Sequence, residues 1–305
     1  MTDSLRDIKL FVAVYEERSF TAAATRENAT QSGVSQHIRK LEDSFRVKLF
    51  IRGTGGAVPT PAADCYYNHC IDVLRAHGAA GRAVRVFGLG IEGAIKVGLM
   101  PTMTRCVLAP TLTRFIKEHP NSAVRVVEGY SAGLTQQVQT GDLDFAIVPA
   151  FPGAMGLRSR LFLRTSEVLV SSLKSPLTHA KPVRLRTLNP INLVVPSKAN
   201  TRRNLIETYL SSNGVKINRH LELDAMLGSL DFVAQSDWLC ILPGIMMAES
   251  DKKRSFTVNP IVEPRFGLDL IQIEPSRQVL STAASAFLEI LEQEASRLNK
   301  RWPPA

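Results

Sequence analysis

The first amphipathic segment of the chain lies close to its N-terminus. Apolar residues recur three or four positions apart over residues 5–18, at Ile8, Phe11, Val12 and Tyr15. This spacing predicts an α-helix with one apolar face. The intervening positions are mostly polar or charged, so we expect the helix to pack through that one face.

Two shorter helical segments are predicted directly after it. Ser19 is a favoured N-cap for a short helix through the alanines at 22–24, whose small side chains let a neighbouring helix approach closely. After a polar break at residues 27–29, Thr30 can cap a third helix. The apolar stripe of this third helix consists of Val34, Ile38, Leu41 and Phe45.

The opposite face of the third helix carries polar side chains that can hydrogen-bond base edges and phosphates. These candidate DNA contacts are Thr30, Gln31, Ser32, Ser35, Gln36, Arg39 and Lys40. Two helices, a tight turn and a third helix with a polar face predict a helix-turn-helix, whose last helix docks in the major groove of DNA. For this helix alone, a merely solvated polar face stays an open alternative.

The basic segment that follows favours nucleic acid. "VKLFIRGTGGAVPT" predicts a two-stranded wing in which Lys48 and Arg52 can neutralise phosphates. The chain has a net charge of +9 and a pI near 9.6, which alone does not identify a partner. Its basic residues cluster here, however, because Arg39, Lys40, Arg46, Lys48 and Arg52 fall within 14 residues.

Several stretches resemble the N-terminal domain of LysR-type transcriptional regulators: "SFTAAA", "TQSGVSQHIRKLE" and "VKLFIR" followed by "PTPAA". The match covers residues 5–65 in register and extends more loosely along the chain. The resemblance implies that Arg52 touches the DNA backbone and that the third helix meets operator DNA. The positions implied on that helix are Gln31, Ser32, Ser35, Gln36 and Arg39.

Three residues depart from the family pattern. Glu27 stands where a leucine is usual, and Ala29 where a valine is usual. We expect Glu27 to tilt outward or to be paired, since burying a lone charge costs several kcal/mol. Arg46 replaces a glycine just past the third helix, so either a left-handed cap costs about 1 kcal/mol or the helix ends otherwise.

Thr60 and Pro61 are an N-cap and a first helical residue in the favoured order, and they predict a long helix to about residue 87. The resemblance implies that this linker helix pairs with its counterpart in a homodimer or homotetramer. Packing within one chain stays an alternative. The predicted domains are a DNA-binding domain at 1–60, a linker helix and hinge at 61–91, and an effector domain at 92–305.

From residue 92 the pattern alternates strands with helices, which predicts a parallel α/β sheet. The predicted fold class is thus α+β and multidomain: a winged helix-turn-helix, a long linker helix and a two-subdomain α/β effector domain. The resemblance implies that this last domain is periplasmic-binding-protein-like. Subdomain I is placed at about 92–164 and 266–305, and subdomain II at about 165–265. "GLDLIQI" is expected to cross back to the first subdomain.

The effector domain suggests binding chemistry at its helix starts, where free amides and the helix dipole suit an anion. The candidate effector contacts are Thr102, Met103, Ser131, Pro149, Pro196, Ser197 and Thr201. Of these, the resemblance implies Thr102, Ser131 and Pro196 as cleft-lining positions. An ordinary N-cap role for each hydroxyl is the alternative. A second ligand charge would meet Lys198, Arg202 and Arg203, unless these are simply solvated. We expect a small organic acid or a related anion.

Other classes of protein find little support. The chain lacks GxSxG, HExxH and P-loop motifs, and its six histidines are dispersed, so we predict no catalytic residue, no metal and no cofactor. The four cysteines form no CxxC pair and are interpreted as thiols. No apolar run of about 18 residues or secretory signal is evident, which predicts a cytoplasmic protein with no membrane partner. The prediction is a promoter-binding regulator modulated by a small molecule. A solute-binding sensor or carrier is the alternative.

Overall fold

The structure is a computed structural model that describes residues 4–53, 56–89, 93–153, 156–198, 200–249 and 255–302. The chain divides into two units. The N-terminal unit comprises Met1–Gly90, Ala154–Gly156 and Pro275–Val279, and the C-terminal unit comprises Ile91–Gly153, Leu157–Glu274 and Leu280–Ala305. Within the described ranges, no helix is both long enough and apolar enough to cross a bilayer.

The N-terminal unit is a winged helix-turn-helix followed by a long helix. Its elements are α1 (Leu5–Glu17), α2 (Phe20–Arg26), α3 (Gln31–Phe45), β1 (Phe50–Gly53), β2 (Gly56–Pro59) and α4 (Pro61–Leu89). The predicted caps are confirmed: Ser19 Oγ accepts from the Ala22 amide at 3.3 Å, and Thr30 Oγ1 accepts from the Gly33 amide at 3.1 Å. The wing strands β1 and β2 pair antiparallel, as predicted.

The stripe of α3 enters the core of this unit. Val34, Ile38 and Leu41 are buried together with residues of α1, α2 and the first half of α4. Phe45 is 39% exposed and lies edge-on to Tyr66 of α4. The core therefore fixes which side of α3 faces outward.

The departures from the family pattern are accommodated locally. Glu27 Oε1 lies 2.9 Å from Arg277 Nη1 within the N-terminal unit, so its charge is paired, which was one of the two expected outcomes. Arg46 ends α3 in the left-handed conformation at φ 56°. This non-glycine cap is the costly alternative of the two predicted, at about 1 kcal/mol.

The C-terminal unit is built on a nine-stranded sheet with the strand order β4-β3-β5-β11-β6-β9-β7-β8 and with β10 paired to β6. Its strands are β3 (Gly93–Leu99), β4 (Ser122–Glu128), β5 (Phe145–Pro149), β6 (Leu157–Ser172), β7 (Ile191–Val195), β8 (Ile217–Glu222), β9 (Leu239–Pro243), β10 (Phe256–Pro260) and β11 (Gly267–Pro275). Its helices are α5 (Pro101–Thr104), α6 (Leu108–Glu118), α7 (Ser131–Thr140), α8 (Arg202–Ser212), α9 (Met226–Gln235) and α10 (Thr282–Asn299).

The sheet is mixed, so the prediction of a parallel sheet was wrong in this respect. Strand β3 is parallel to β4 and β5, and β7 is parallel to β8 and β9. Strand β11 returns antiparallel to β5, and β6 is antiparallel to β9 and β10. We call β3–β5 and β11 with α6, α7 and α10 lobe I, and β7–β10 with α8 and α9 lobe II. Strand β6 leads from lobe I to lobe II and β11 leads back, so the two crossings run in opposite directions.

Two helices differ from the expectation. The single helix expected after β3 is divided into α5 and α6. Pro110 accounts for the division. It lies in the first turn of α6, where backbone N–H groups have no intrahelical partner, so the lack of an N–H in proline costs nothing there. Inside a continuous helix, Pro110 would remove a hydrogen bond. Helix α9 was missed, since Gly228 and the short segment around it give a weak periodic signal.

Candidate DNA-reading helix and effector cleft

The polar face of α3 is exposed, as a DNA-reading surface requires. Gln31, Ser32, Gln36 and Arg39 are exposed and Ser35 is half-buried, while the stripe on the other side is buried. Gln31 Nε2 donates to Ser35 Oγ at 3.2 Å, which holds two of these side chains together. The structure thus brings most of the predicted DNA contacts to one side of one helix.

Two predicted DNA contacts have other roles in the structure. The hydroxyl of Thr30 accepts from the Gly33 amide as the N-cap of α3. The ammonium of Lys40 lies 3.7 Å from Asp7 Oδ2 of α1, although its side chain is 59% exposed. Lys40 therefore pairs with α1, although it lies one turn after Gln36 at the edge of the exposed face.

A buried carboxylate that the sequence did not reveal holds the wing against α3. Glu42 Oε1 accepts from the amides of Leu49 at 2.9 Å and Phe50 at 3.2 Å, and Oε2 accepts from Lys48 Nζ at 2.8 Å. Burial raises the pKa of Glu42, but the hydrogen bonds from Lys48 and the two amides outweigh it, so the pKa is lowered. Lys48, predicted to neutralise phosphate, is therefore also a partner of Glu42.

The backbone of Arg52 lies in β1 opposite Ala57. Its side chain lies outside the described part of the structure, and the role predicted for it stays a prediction.

In the C-terminal unit, two loops meet between the lobes. Ser131, the first residue of α7 in lobe I, has its hydroxyl 3.3 Å from that of Thr201, the N-cap of α8 in lobe II. The Tyr130 hydroxyl donates to the carbonyl of Asp224, and the Ser197 amide donates to Asp224 Oδ1 at 3.0 Å. The structure thus brings Ser131, Ser197 and Thr201 to this junction.

A small cavity of about 30 Å³ lies beside this junction, with room for one or two water molecules. Of the predicted effector contacts, Pro196 lines it. Arg202, which was expected to meet a second ligand charge, also lines it. The sequence analysis missed the other lining residues, which are Tyr130, Val194, Val195, Asn200, Leu223, Met226, Ser229, Leu230, Cys240, Ile241 and Leu242. Helix α9 supplies several of them, so these residues could not be predicted once that helix was missed. Burial raises the pKa of the Cys240 thiol to about 12, which keeps it protonated at neutral pH.

The arginines expected to meet a second ligand charge have partners already. Arg202 is 3% exposed and Glu167 is 1% exposed, and Arg202 Nη2 lies 2.8 Å from both carboxylate oxygens. Arg203 Nε donates to Glu207 at 2.6 Å and its Nη1 donates to the Pro196 carbonyl at 2.9 Å. Neither a ligand contact nor simple solvation describes these two arginines, because Arg202 pairs with an acid 35 residues earlier in the chain and Arg203 pairs with Glu207 one turn later in α8.

Six of the seven predicted effector contacts do not line the cavity, and three of these, Ser131, Ser197 and Thr201, lie at the junction beside it. The remaining three have other places in lobe I. Thr102 and Met103 belong to the short helix α5 and are buried, and Met103 is part of the core of lobe I. Pro149 ends β5 and is buried beside β11. Their predicted role as effector contacts has no support from this cavity.

The sequence matches two family models. Residues 5–64 match the bacterial regulatory helix-turn-helix protein, lysR family, and residues 89–296 match the LysR substrate binding domain. The chain is 25% identical over 289 residues to the nitrogen assimilation regulatory protein nac of Escherichia coli (strain K12), covering 94% of both chains.

Solved structures with the same fold include an OxyR mutant of Corynebacterium glutamicum with bound H₂O₂, at a TM-score of 0.60, 19% identity and coverage of 98% of this chain and 96% of that one. Full-length CbnR complexed with its target DNA has a TM-score of 0.55 and 20% identity, covering 96% of this chain and 99% of the other. The second family model alone spans more than half of the sequence. The chain therefore belongs to the LysR family of helix-turn-helix transcriptional regulators.

Proposed function

We propose that this chain is a cytoplasmic regulator that recognises promoter DNA with the exposed face of α3. The observation that carries this proposal is the division of α3 into a buried apolar stripe and a face on which Gln31, Ser32, Gln36 and Arg39 are exposed. Short hydroxyl and amide side chains with one arginine supply the donors and acceptors that read base edges in the major groove. Base contacts then specify the site, and the wing contributes phosphate contacts at Arg52.

Selection from a random library tests this proposal even though the operator sequence is unknown. The full-length protein is incubated with random duplexes of about 30–40 base pairs, long enough to hold two half-sites one or more helical turns apart, and the bound fraction is amplified and sequenced over several rounds. A single recurring motif that binds at least about a thousandfold more tightly than random DNA is the expected result. Enrichment of no motif would contradict the proposed reading of sequence by α3.

We infer that a small organic acid or a related anion binds between the lobes and changes promoter binding. The support is the meeting of two helix starts, at Ser131 of α7 and Thr201 of α8, since free amides and helix dipoles favour negative charge. Arg202 is already neutralised by Glu167, so recognition of the anion rests on amides and hydroxyls. The cavity of about 30 Å³ is far smaller than most ligand pockets, so binding must separate the loops there.

Calorimetry with a panel of organic acids, amino acids and neutral metabolites tests the effector proposal. Ser131→Ala is the matched variant, because it removes one hydroxyl and leaves the charges unchanged. An acid that binds the wild type and binds Ser131→Ala several-fold more weakly supports the proposal. If only neutral compounds bind, the effector is not an anion and this part of the proposal fails.

We place the contact between subunits on α4, as the resemblance implied. Val73 is 45% exposed and Val84 is 73% exposed, although both are apolar. They are eleven residues apart, which puts them within about 20° of each other on the helix surface. If this face holds the subunits together, Val84→Glu should shift the wild-type homodimer or homotetramer toward monomer in analytical ultracentrifugation. An oligomeric state equal to that of the wild type would mean that the subunits are held together elsewhere.

A further inference from the structure

A second cavity lies in lobe II, where strand β6 ends and strand β9 begins. Its volume is about 350 Å³, which is within the usual range of small-molecule sites, whereas the cavity beside the junction of the lobes has about 30 Å³. The side chains that matter for its chemistry are Ser171, Lys174, Pro176, Asp237, Trp238 and Leu239. The two cavities share no lining residue within the described part of the chain, so they are separate places in the fold.

The indole of Trp238 gives this cavity an apolar wall that is held in place. The guanidinium of Arg219 in β8 lies 5.5 Å from the centroid of the indole, and the ring of Phe232 in α9 lies 5.7 Å from it. Pro176 and Leu239 add further apolar lining. Because its neighbours already fix the indole, little conformational freedom is lost when an apolar group packs against it.

Two opposite charges line the same cavity without pairing with each other. Within the described residues, neither the Lys174 ammonium nor the Asp237 carboxylate forms an ion pair. The carboxylate is oriented by neutral groups, because Asp237 Oδ2 accepts from Asn192 Nδ2 at 3.3 Å and Asn192 Oδ1 accepts from Asn218 Nδ2 at 3.0 Å. Hydration alone would explain a single exposed lysine. A cation and an oriented acid on one cavity are instead suited to a ligand that carries both charges.

A buried hydroxyl at this cavity also lacks a partner. Ser171 is 1% exposed, and its Oγ has no hydrogen-bond partner among the described residues. Buried polar groups are nearly always hydrogen-bonded, so an exception beside a cavity calls for an explanation. A polar atom of a ligand provides one, since it supplies the partner that the protein does not.

We propose that this cavity binds a small zwitterion, namely an α-amino acid with an apolar side chain. The ligand carboxylate pairs with Lys174, its ammonium pairs with Asp237, and its side chain packs against Trp238. A plain organic acid would leave Asp237 unpaired, and a plain amine would leave Lys174 unpaired. This site is distinct from the anion site proposed between the lobes, and it does not depend on the proposed reading of DNA by α3.

Tryptophan fluorescence reports on this site directly. The chain has two tryptophans, and the second, Trp302, is 3% exposed. In the full-length variant Trp302→Phe, Trp238 is the one remaining indole. Titration with leucine and with phenylalanine should change its emission until the site is saturated. Calorimetry of the wild-type protein with the same two amino acids gives the stoichiometry, expected as one per chain, and does not depend on how well Trp302→Phe folds.

Analogues of phenylalanine test the class of ligand. Phenylpropionate lacks its ammonium, and phenethylamine lacks its carboxylate. Each analogue leaves one charge of the cavity without its partner. We therefore expect each to bind the wild-type protein at least about fivefold more weakly than phenylalanine does.

Substitutions locate the ligand in this cavity. Lys174→Gln and Asp237→Asn should each weaken amino-acid binding about fivefold, because each removes one charge contact. Lys181→Gln and Asp231→Asn make the same charge changes at exposed positions that do not line the cavity, and they should bind as the wild type does. Ser131→Ala alters the junction between the lobes and should also leave this binding unchanged. Since Lys174 and Asp237 are exposed, both variants should remain folded, which circular dichroism checks.

Three results would overturn the inference. If neither amino acid binds the wild-type protein at millimolar concentration, the cavity is not a site for this class of ligand. If phenylpropionate or phenethylamine binds as tightly as phenylalanine, the ligand is not recognised as a zwitterion. If Ser131→Ala weakens amino-acid binding while Lys174→Gln does not, the amino acid binds between the lobes and not in this cavity.

Discussion

The two binding regions of this protein use polar side chains in opposite ways. On α3, the residues assigned to DNA are exposed, while buried acids such as Asp7 and Glu42 hold the helix and the wing in place. Near the cleft between the lobes, by contrast, charged side chains are buried in pairs, as Arg202 is with Glu167. Exposed polar groups are available to bind a ligand or DNA, whereas a buried charge that is already paired stabilises the fold. Cationic residues near a cleft are therefore evidence for an anionic ligand only when their own partners are known.

The comparison is tested most severely by breaking the buried pair of the C-terminal unit. Glu167→Met leaves the Arg202 guanidinium buried without its carboxylate, which should cost about 3–5 kcal/mol of unfolding free energy. Urea denaturation of the purified protein measures this loss.

The double variant Glu167→Met with Arg202→Met is the matched control. Two apolar side chains of similar volume need no counter-charge, so most of the stability should return. A single variant that loses less than about 1 kcal/mol would mean that water or another group compensates Arg202, and the contrast between the two regions would weaken.

A smaller effect is expected at the exposed face of α3. Arg39→Ala should reduce operator preference by about 1–3 kcal/mol, the usual size of one base contact, while stability changes little. Gln31→Ala should act in the same direction. Lys40→Ala serves as the neighbouring control, because its ammonium lies beside Asp7; its loss should be similar on operator and random DNA. Equal losses of preference for Arg39→Ala and Lys40→Ala would contradict the different roles assigned to these two residues.

Acid should remove the contribution of Asp7 to stability. Burial raises its pKa, but hydrogen bonds from Ser4 and His37 and the charge of Lys40 outweigh burial and lower the pKa to about 2, below the ordinary 3.8. The stabilisation is therefore complete well above pH 4 and is lost as the pH falls toward 2. From this shift we expect Asp7→Asn to cost about 2 kcal/mol at pH 7, and the difference from the wild type to fall to about half by pH 3. Urea unfolding of both proteins at pH 7, 5 and 3 measures it. A difference that stays constant down to pH 3 would show that the ionised form of Asp7 is not what stabilises the fold.

The smallest effect is predicted for the wing. Arg52→Ala should weaken operator and random DNA about equally and reduce the slope of log K against log salt by about 1, as loss of one phosphate contact does. Anisotropy titrations over a salt series measure both quantities. Loss of operator preference without a change in slope would assign Arg52 to base reading instead.

The helical part of the N-terminal unit was predictable because its signals are local. Ser19, Thr30 and Thr60 cap helices where the sequence placed caps, and the stripe of α3 follows from its own spacing. Helical periodicity reports directly which side of a helix is buried, and hence which side remains for DNA.

The cleft and the buried acids were less predictable because their partners are distant in sequence. Glu167 is 35 residues from Arg202, and Asp7 is 30 residues from His37. No spacing rule connects such pairs, since only the folded sheet or the packing of α3 on α1 brings them together. The mixed sheet has the same origin, because the direction of β6 and β11 depends on two crossings between lobes.

Binding of the purified full-length protein to DNA over a salt series tests the central claim most directly. Fluorescence anisotropy compares a duplex from the region upstream of its own gene with a scrambled duplex of the same composition, with and without metabolite extract. We predict tighter binding to the upstream duplex and affinity that falls as salt rises, because specific base contacts add to phosphate contacts. Equal affinity for both duplexes, with and without the extract, would contradict the claim that α3 reads this sequence.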